Sequence, residues 1–225
     1  METDRPDQAE TAYTVKRGFL QTEVGLNRNQ FFRGALDWQV PLGLIKYGIS
    51  NRFELRHNFS VEKVSGQPLK LFQQSSGFKW NFFGGKGLLP MSSILVQYHY
   101  NDLKRDRSDL NATHHSIGEV IFTFQSDLND RWGIGYNVGP EFHSNGSIEW
   151  VYRIAPGFKL GRDVYIYAEI FGRFPDDEAA DQWFDLGGGW YVNDDLRLDM
   201  SAGRSLNNQN SYLALGASFR IGLFR

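Results

Sequence analysis

Few residues in this chain have types and spacing that could do chemistry. His143, Ser144, Asn145 and Gly146 stand in a row, with Glu141 and Glu149 nearby. A histidine beside a serine is the raw material of nucleophilic catalysis, the imidazole taking the hydroxyl proton. Outer-membrane lipid hydrolases carry such a pair two residues apart, on one strand face, ahead of Asn-Gly. Here the two are adjacent, so in a strand they face opposite ways. Asn145-Gly146 is also an ordinary hairpin turn signal. His114-His115 lies in a polar loop with no fixed carboxylate partner, and reads as solvated loop before it reads as a metal site. There is no cysteine, which removes thiolate chemistry and disulfides. Gly187-Gly188-Gly189 falls inside a strand pattern and not ahead of a helix, so it is no phosphate loop. Asn58-Phe59-Ser60, Asn111-Ala112-Thr113 and Asn145-Gly146-Ser147 match the glycosylation pattern, which is common by chance. The expectation is no enzyme, no cofactor and no metal.

Composition narrows the class. Lysine and arginine number 24 against 26 acidic residues, which argues against a basic stripe for nucleic acid. The 225 residues suit one barrel-sized domain. No apolar run approaches the roughly 18 residues of a membrane helix. A negative mean hydropathy still fits a membrane barrel, where only alternate residues need be apolar. Aromatics at 15% and 24 glycines fit interface girdles and a crowded interior.

The last stretch carries the strongest pattern. Leu213, Leu215, Ala217, Phe219, Ile221 and Leu223 share one parity. Ala214, Gly216, Ser218, Arg220 and Gly222 share the other. A period of two held this long predicts a strand with different solvents on its faces. A tilted membrane strand needs about 9–11 residues. The same alternation recurs from Phe19 onward, for about twelve strands, an even number as bacterial barrels require. Trp38 to Ile49 is apolar but its parity is uncertain. Tight connections at Ser50, Gly84, Asn129, Gly161 and Asn193 alternate with more polar ones at Asn27–Gly34, Lys63–Lys70, Asn101–Ser116, Phe142–Gly146, Pro175–Ala180 and Leu206–Asn210. That sorting predicts an all-β, antiparallel up-and-down transmembrane barrel over residues 17–225, with both termini periplasmic.

The polar parity carries the expected lumen-lining residues: Glu23, Glu54, Arg56, Lys79, Glu119, Glu141, Glu149, Arg153, Glu169, Arg173, Asp185, Arg197, Asp199 and Arg220. Their mixed signs predict a salt-bridged network and not a ring of one charge. A soluble barrel would turn these outward. The opposite parity, however, includes Trp80, Trp132, Trp150 and Trp190, which would overpack a small interior. Residues 1–16 are polar and acidic, with no strand pattern. They are expected as a leader or as a segment folded into the mouth against lumen arginines. No apolar run follows Met1, so an outer-membrane destination implies a signal removed ahead of it.

The sequence also resembles a known family. Glu2-Thr3-Asp4-Arg5-Pro6-Asp7-Gln8 with Tyr13-Thr14-Val15 is similar to the mature start of the outer-membrane transporter-like family named for the MetA pathway of phenol degradation. Tyr47 to Arg56, Val164–Gly172, Asp195 to Asp199 with Gly203, Leu206 and Asn207, and Gly216 to Arg220 resemble its other motifs. The resemblance implies a Gram-negative outer-membrane channel, some members serving hydrophobic compounds, with no catalytic motif. The resulting expectation is a porin-like, monomeric channel for small solutes, hydrophobic or aromatic ones included. Its partners would be outer-membrane lipid and a small-molecule solute, with no nucleic acid. The alternatives are a structural barrel subunit bound to an envelope-complex partner and, less favoured, the lipid hydrolase.

Overall fold

The computed structural model describes residues 1–30, 36–64, 70–102, 116–174 and 180–223. Twelve strands make the whole fold: β1 (Phe19–Gln30), β2 (Leu36–Ser50), β3 (Phe53–Val64), β4 (Lys70–Lys86), β5 (Leu89–Asp102) and β6 (Ser116–Asp127). The second half comprises β7 (Trp132–His143), β8 (Ile148–Leu160), β9 (Val164–Phe174), β10 (Asp181–Asn193), β11 (Leu196–Ser205) and β12 (Ser211–Gly222). Each strand pairs antiparallel with its neighbours in sequence, and β1 pairs β12 to close the barrel. The seam is long, running from Phe19↔Gly222 to Gln30↔Ser211 without a register shift. Both chain ends therefore sit at one mouth.

Strand length and period explain the wall. With 10 to 17 residues each, the strands reach across a hydrocarbon core even when tilted. Their alternate residues face out and are large and apolar. Trp80, Trp132, Trp150 and Trp190 are each about half exposed, as are Ile154, Ile170, Leu186 and Leu215. The aliphatic residues sit mid-strand. Rings gather toward the ends, with Trp132 against Phe158 near the terminal mouth and Tyr98 against Tyr100 near the other. An apolar band between aromatic girdles is the outer surface of a membrane barrel. In water, such a band would be an association surface.

The inner face is polar and crowded. Glycine makes the room, because a ring or guanidinium can lie flat where no Cβ projects. Gly25 and Gly216 face each other across the seam, and a Cβ on either would collide with the Arg5 guanidinium. Gly187 and Gly203 leave similar room for Tyr167 and Tyr212. A small apolar patch, Leu95, Ile121 and Val151, also faces inward.

β2 resolves the uncertain parity. Pro41 lies in a register shift between Gln39 and Leu42, and the extra residue flips the faces on either side of it. Beyond it, Leu44 and Lys46 are buried while Ile45 and Ile49 are exposed. Asn145-Gly146 turns β7 into β8, with Gly146 at φ 85°, a conformation glycine adopts without a Cβ penalty. Expected features at Ser65–Pro68, His114-His115 and Asn111–Thr113, and most of the Pro175–Ala180 loop, lie outside the described residues.

The outward set makes a direct prediction. Leu215→Arg, in the middle of β12, should cost about 2–4 kcal/mol in guanidinium unfolding of vesicle-inserted protein. Leu206→Arg, in an exposed turn, should stay within about 0.5 kcal/mol.

Candidate functional site

The site is the lumen, and its first occupant is the chain's own beginning. Residues 2–15 run across the interior and touch inward side chains on most of the wall. Asp4 is the centre. Its carboxylate accepts from Lys46 Nζ at 2.7 Å and from Lys79 Nζ at 3.0 Å, and lies 3.5 Å from Arg56. Burial opposes the charge on Asp4, but Lys46, Lys79 and Arg56 outweigh it and hold the carboxyl well below the usual carboxylate range. Glu10 takes both ends of the Arg56 guanidinium, at 2.7 and 2.9 Å, the two-pronged geometry that suits arginine and carboxylate.

The acidic members of the wall hold the segment by its backbone. Glu23 accepts from the amides of Asp4 and Arg5 at 3.1 and 3.0 Å. Glu169 accepts from Gln8 at 2.8 Å, and Glu54 from Val15 at 2.6 Å. Asn137 both accepts from the Glu10 amide and donates to its carbonyl. Ala12, fully buried, has its carbonyl capped by Ser93 and Asn81. Arg5 donates to Asp199 at 3.1 Å, and Arg197 donates to the Thr3 hydroxyl. A buried backbone segment outside any sheet must find such partners, since unpaired amides are costly.

The residues expected to line the lumen fall into groups. Glu23, Glu54, Arg56, Lys79, Glu169, Arg197 and Asp199 are buried and hold residues 1–16 as above. Asp185 is buried and accepts from the Tyr212 hydroxyl. Arg153 is half-buried on β8. Near the mouth opposite the termini, Arg173 lies 2.7 Å from Glu141 and 3.4 Å from Glu149, and Glu119 accepts from Gln97 at 2.5 Å. Arg220 stands apart, at the terminal rim, where it donates to Asp195 in the β10–β11 turn at 2.6 Å. Lys46, Asn81, Ser93 and Asn137 were not anticipated. Lys46 was hidden by the uncertain parity of β2. Asn81 and Asn137 already sat on the polar parity, and their signal was that position alone.

His143 and Ser144 part company, as their adjacency demands. His143 is buried inside the barrel and Ser144 is exposed in the turn. Residues 1–13 leave the β6–β11 side of the lumen less filled. A cavity of about 560 Å³ opens there at the terminal mouth, lined by Tyr13, Asp127, Lys159, Tyr165, Tyr191 and Arg197 among others. The Arg197 guanidinium lies over the Tyr191 and Tyr165 rings, at 5.1 and 5.5 Å from their centroids, a cation–π arrangement. The cavity is thus polar, aromatic and of a size for a small solute.

Comparison with known proteins gives consistent results. A family model described as "Putative MetA-pathway of phenol degradation" matches residues 3–221. No curated protein matches the sequence. Among solved structures, the COG4313 outer membrane channel from Pseudomonas putida F1 is similar at TM-score 0.65 and 11% identity, covering 98% of this chain and 100% of that one. The KdgM porin in complex with disordered oligogalacturonate is similar at TM-score 0.60 and 9% identity, covering 88% of this chain and 98% of its own. The CymD monoaromatic hydrocarbon channel follows at TM-score 0.50 and 8% identity, with 94% and 90% covered. At these identities the likeness establishes the shared barrel fold.

The anchoring by Asp4 can be read by labelling, because the chain has no cysteine of its own. Ala9→Cys, at a position only 5% exposed, should react slowly with a maleimide. Adding Asp4→Ala, which removes the carboxylate that Lys46 and Lys79 share, should speed labelling at least ~10-fold, since breaking a buried ion pair costs about 3–5 kcal/mol.

Proposed function

We infer function from one premise: the chain belongs to the family described as "Putative MetA-pathway of phenol degradation". It is a channel of the bacterial outer membrane for small solutes, hydrophobic or aromatic ones included. The observation that carries this reading is a closed twelve-strand wall, apolar outside and charged within. Such a wall separates a polar interior from lipid, and a path for solutes is the use that we assign to it. The names of the similar structures, an outer membrane channel and a monoaromatic hydrocarbon channel, support the same class. The tyrosines of the terminal-side cavity offer flat, partly polar surfaces on which an aromatic solute can rest.

The termini face the periplasm, because the shorter connections share their mouth and single-chain barrels keep short turns on that side. Residues 1–16 act as a plug, held by Asp4 and Glu10 on Lys46, Arg56 and Lys79. The path past them is narrow, and the terminal-side cavity is its vestibule. The alternative of a lipid hydrolase built on His143 and Ser144 is not favoured: His143 faces the lumen and Ser144 is exposed in the turn, so this imidazole does not meet this hydroxyl.

Single-channel recording in planar bilayers tests this. The wild-type chain should give small steps, and deleting residues 1–16 should raise conductance several-fold. The double variant Asp4→Asn, Glu10→Gln should give frequent transitions to the larger level. A deletion that leaves conductance unchanged removes the plug. A protein that inserts yet conducts in neither form removes the channel.

A further inference from the structure

Away from residues 1–16, one cluster gathers at the opposite mouth. Glu141 and His143 are two positions apart on β7 and both buried, so they face the lumen together. β8 sets Glu149 directly across from Glu141. One ligand atom from each of Glu141, His143 and Glu149 lies within 4.8 Å of the others. The His143 side chain is only 6% exposed, and its Nε2 lies 3.5 Å from Glu149. That nitrogen has no hydrogen-bond partner among the described residues. Buried polar atoms are rarely left so without a reason.

Acidic groups crowd this spot among the described residues. Like charges directly opposite repel, and Glu119 on β6 stands across from Glu141 on its other side. Among the described residues, Arg173 is the cation at this spot, its Nη1 set between the two carboxylates at 2.7 and 3.4 Å. Among the described contacts, two carboxylates thus share one guanidinium. The Arg173 side chain is 36% exposed, so it can turn into the water of the mouth.

We propose that Glu141, His143 and Glu149 bind a divalent transition-metal cation of the zinc type. One imidazole nitrogen with two carboxylate oxygens suits Zn²⁺ and its neighbours, whereas Ca²⁺ and Mg²⁺ take oxygen alone. A tetrahedral zinc sets its donors roughly 3.4 Å apart, so the three side chains close slightly around it. The ion takes the place between the carboxylates that Arg173 Nη1 otherwise holds. Guanidinium and metal compete for one seat, and the fourth position opens to the mouth.

Calorimetric titration of the refolded, untagged full chain in detergent with ZnCl₂ tests this. The expected result is one Zn²⁺ per chain, not displaced by excess Mg²⁺. His143→Ala and, separately, Glu149→Gln should each weaken binding at least tenfold, and Arg173→Gln should tighten it several-fold. Heat-dependent gel mobility checks that each variant keeps its barrel, and Glu149→Gln, at a position less buried than His143, serves should His143→Ala not fold. The proposal is overturned if the wild-type chain takes up no Zn²⁺. It is overturned equally if affinity survives both ligand variants, which would place the ion on other histidines, or if Arg173→Gln leaves it unchanged.

Discussion

A strand in hydrocarbon cannot leave its edge amides unpaired, and this constraint organises the molecule. Within lipid there is no water to bond an open edge, so a sheet survives only if its first and last strands meet. Here β1 and β12 meet over their whole length. Closure creates an inside, and the alternation of side chains then sorts every residue between two solvents. The outward set must match lipid. The inward set need not, and it is there that charge accumulates.

That charge sets the second level of organisation. Lys46, Arg56 and Lys79 lie on neighbouring strands, and all three are buried. Glu23 and Glu54 answer part of their charge, and Asp4 and Glu10 supply the rest. Two charges removed from water repay the loss only with good geometry and further hydrogen bonds. The segment meets that condition because its backbone, too, is bound by the wall. Wall and segment are therefore electrostatically incomplete without each other. The trio Glu141, His143 and Glu149 at the far mouth differs, since no part of residues 1–16 is bonded to it among the described contacts.

Much of the wall was legible because alternation is a local property. Leu213 to Leu223 announced β12 by parity alone, and Glu23, Glu54 and Arg197 announced their face the same way. Parity failed at β2, where Pro41 and a register shift reverse the faces, and Lys46 was lost with it. Contacts of the segment were not legible in detail. Arg5 and Asp199 are separated by 194 residues, and nothing local links them. Acidity in residues 1–16 suggested basic partners, but only the closed wall decides which. At the other mouth, the spacing of Glu141 and His143 shows a shared face. Arg173, arriving from a third strand, could not be inferred from it.

The backbone anchor at Gly18 distinguishes the two rims of the barrel. Its amide bonds Gly48 and its carbonyl accepts from Leu223, so the segment is moored at the rim where both ends of the chain sit. Whatever the rest of the segment does, its base stays at this rim. The tether thus marks one end of the cylinder as the place where the segment is held.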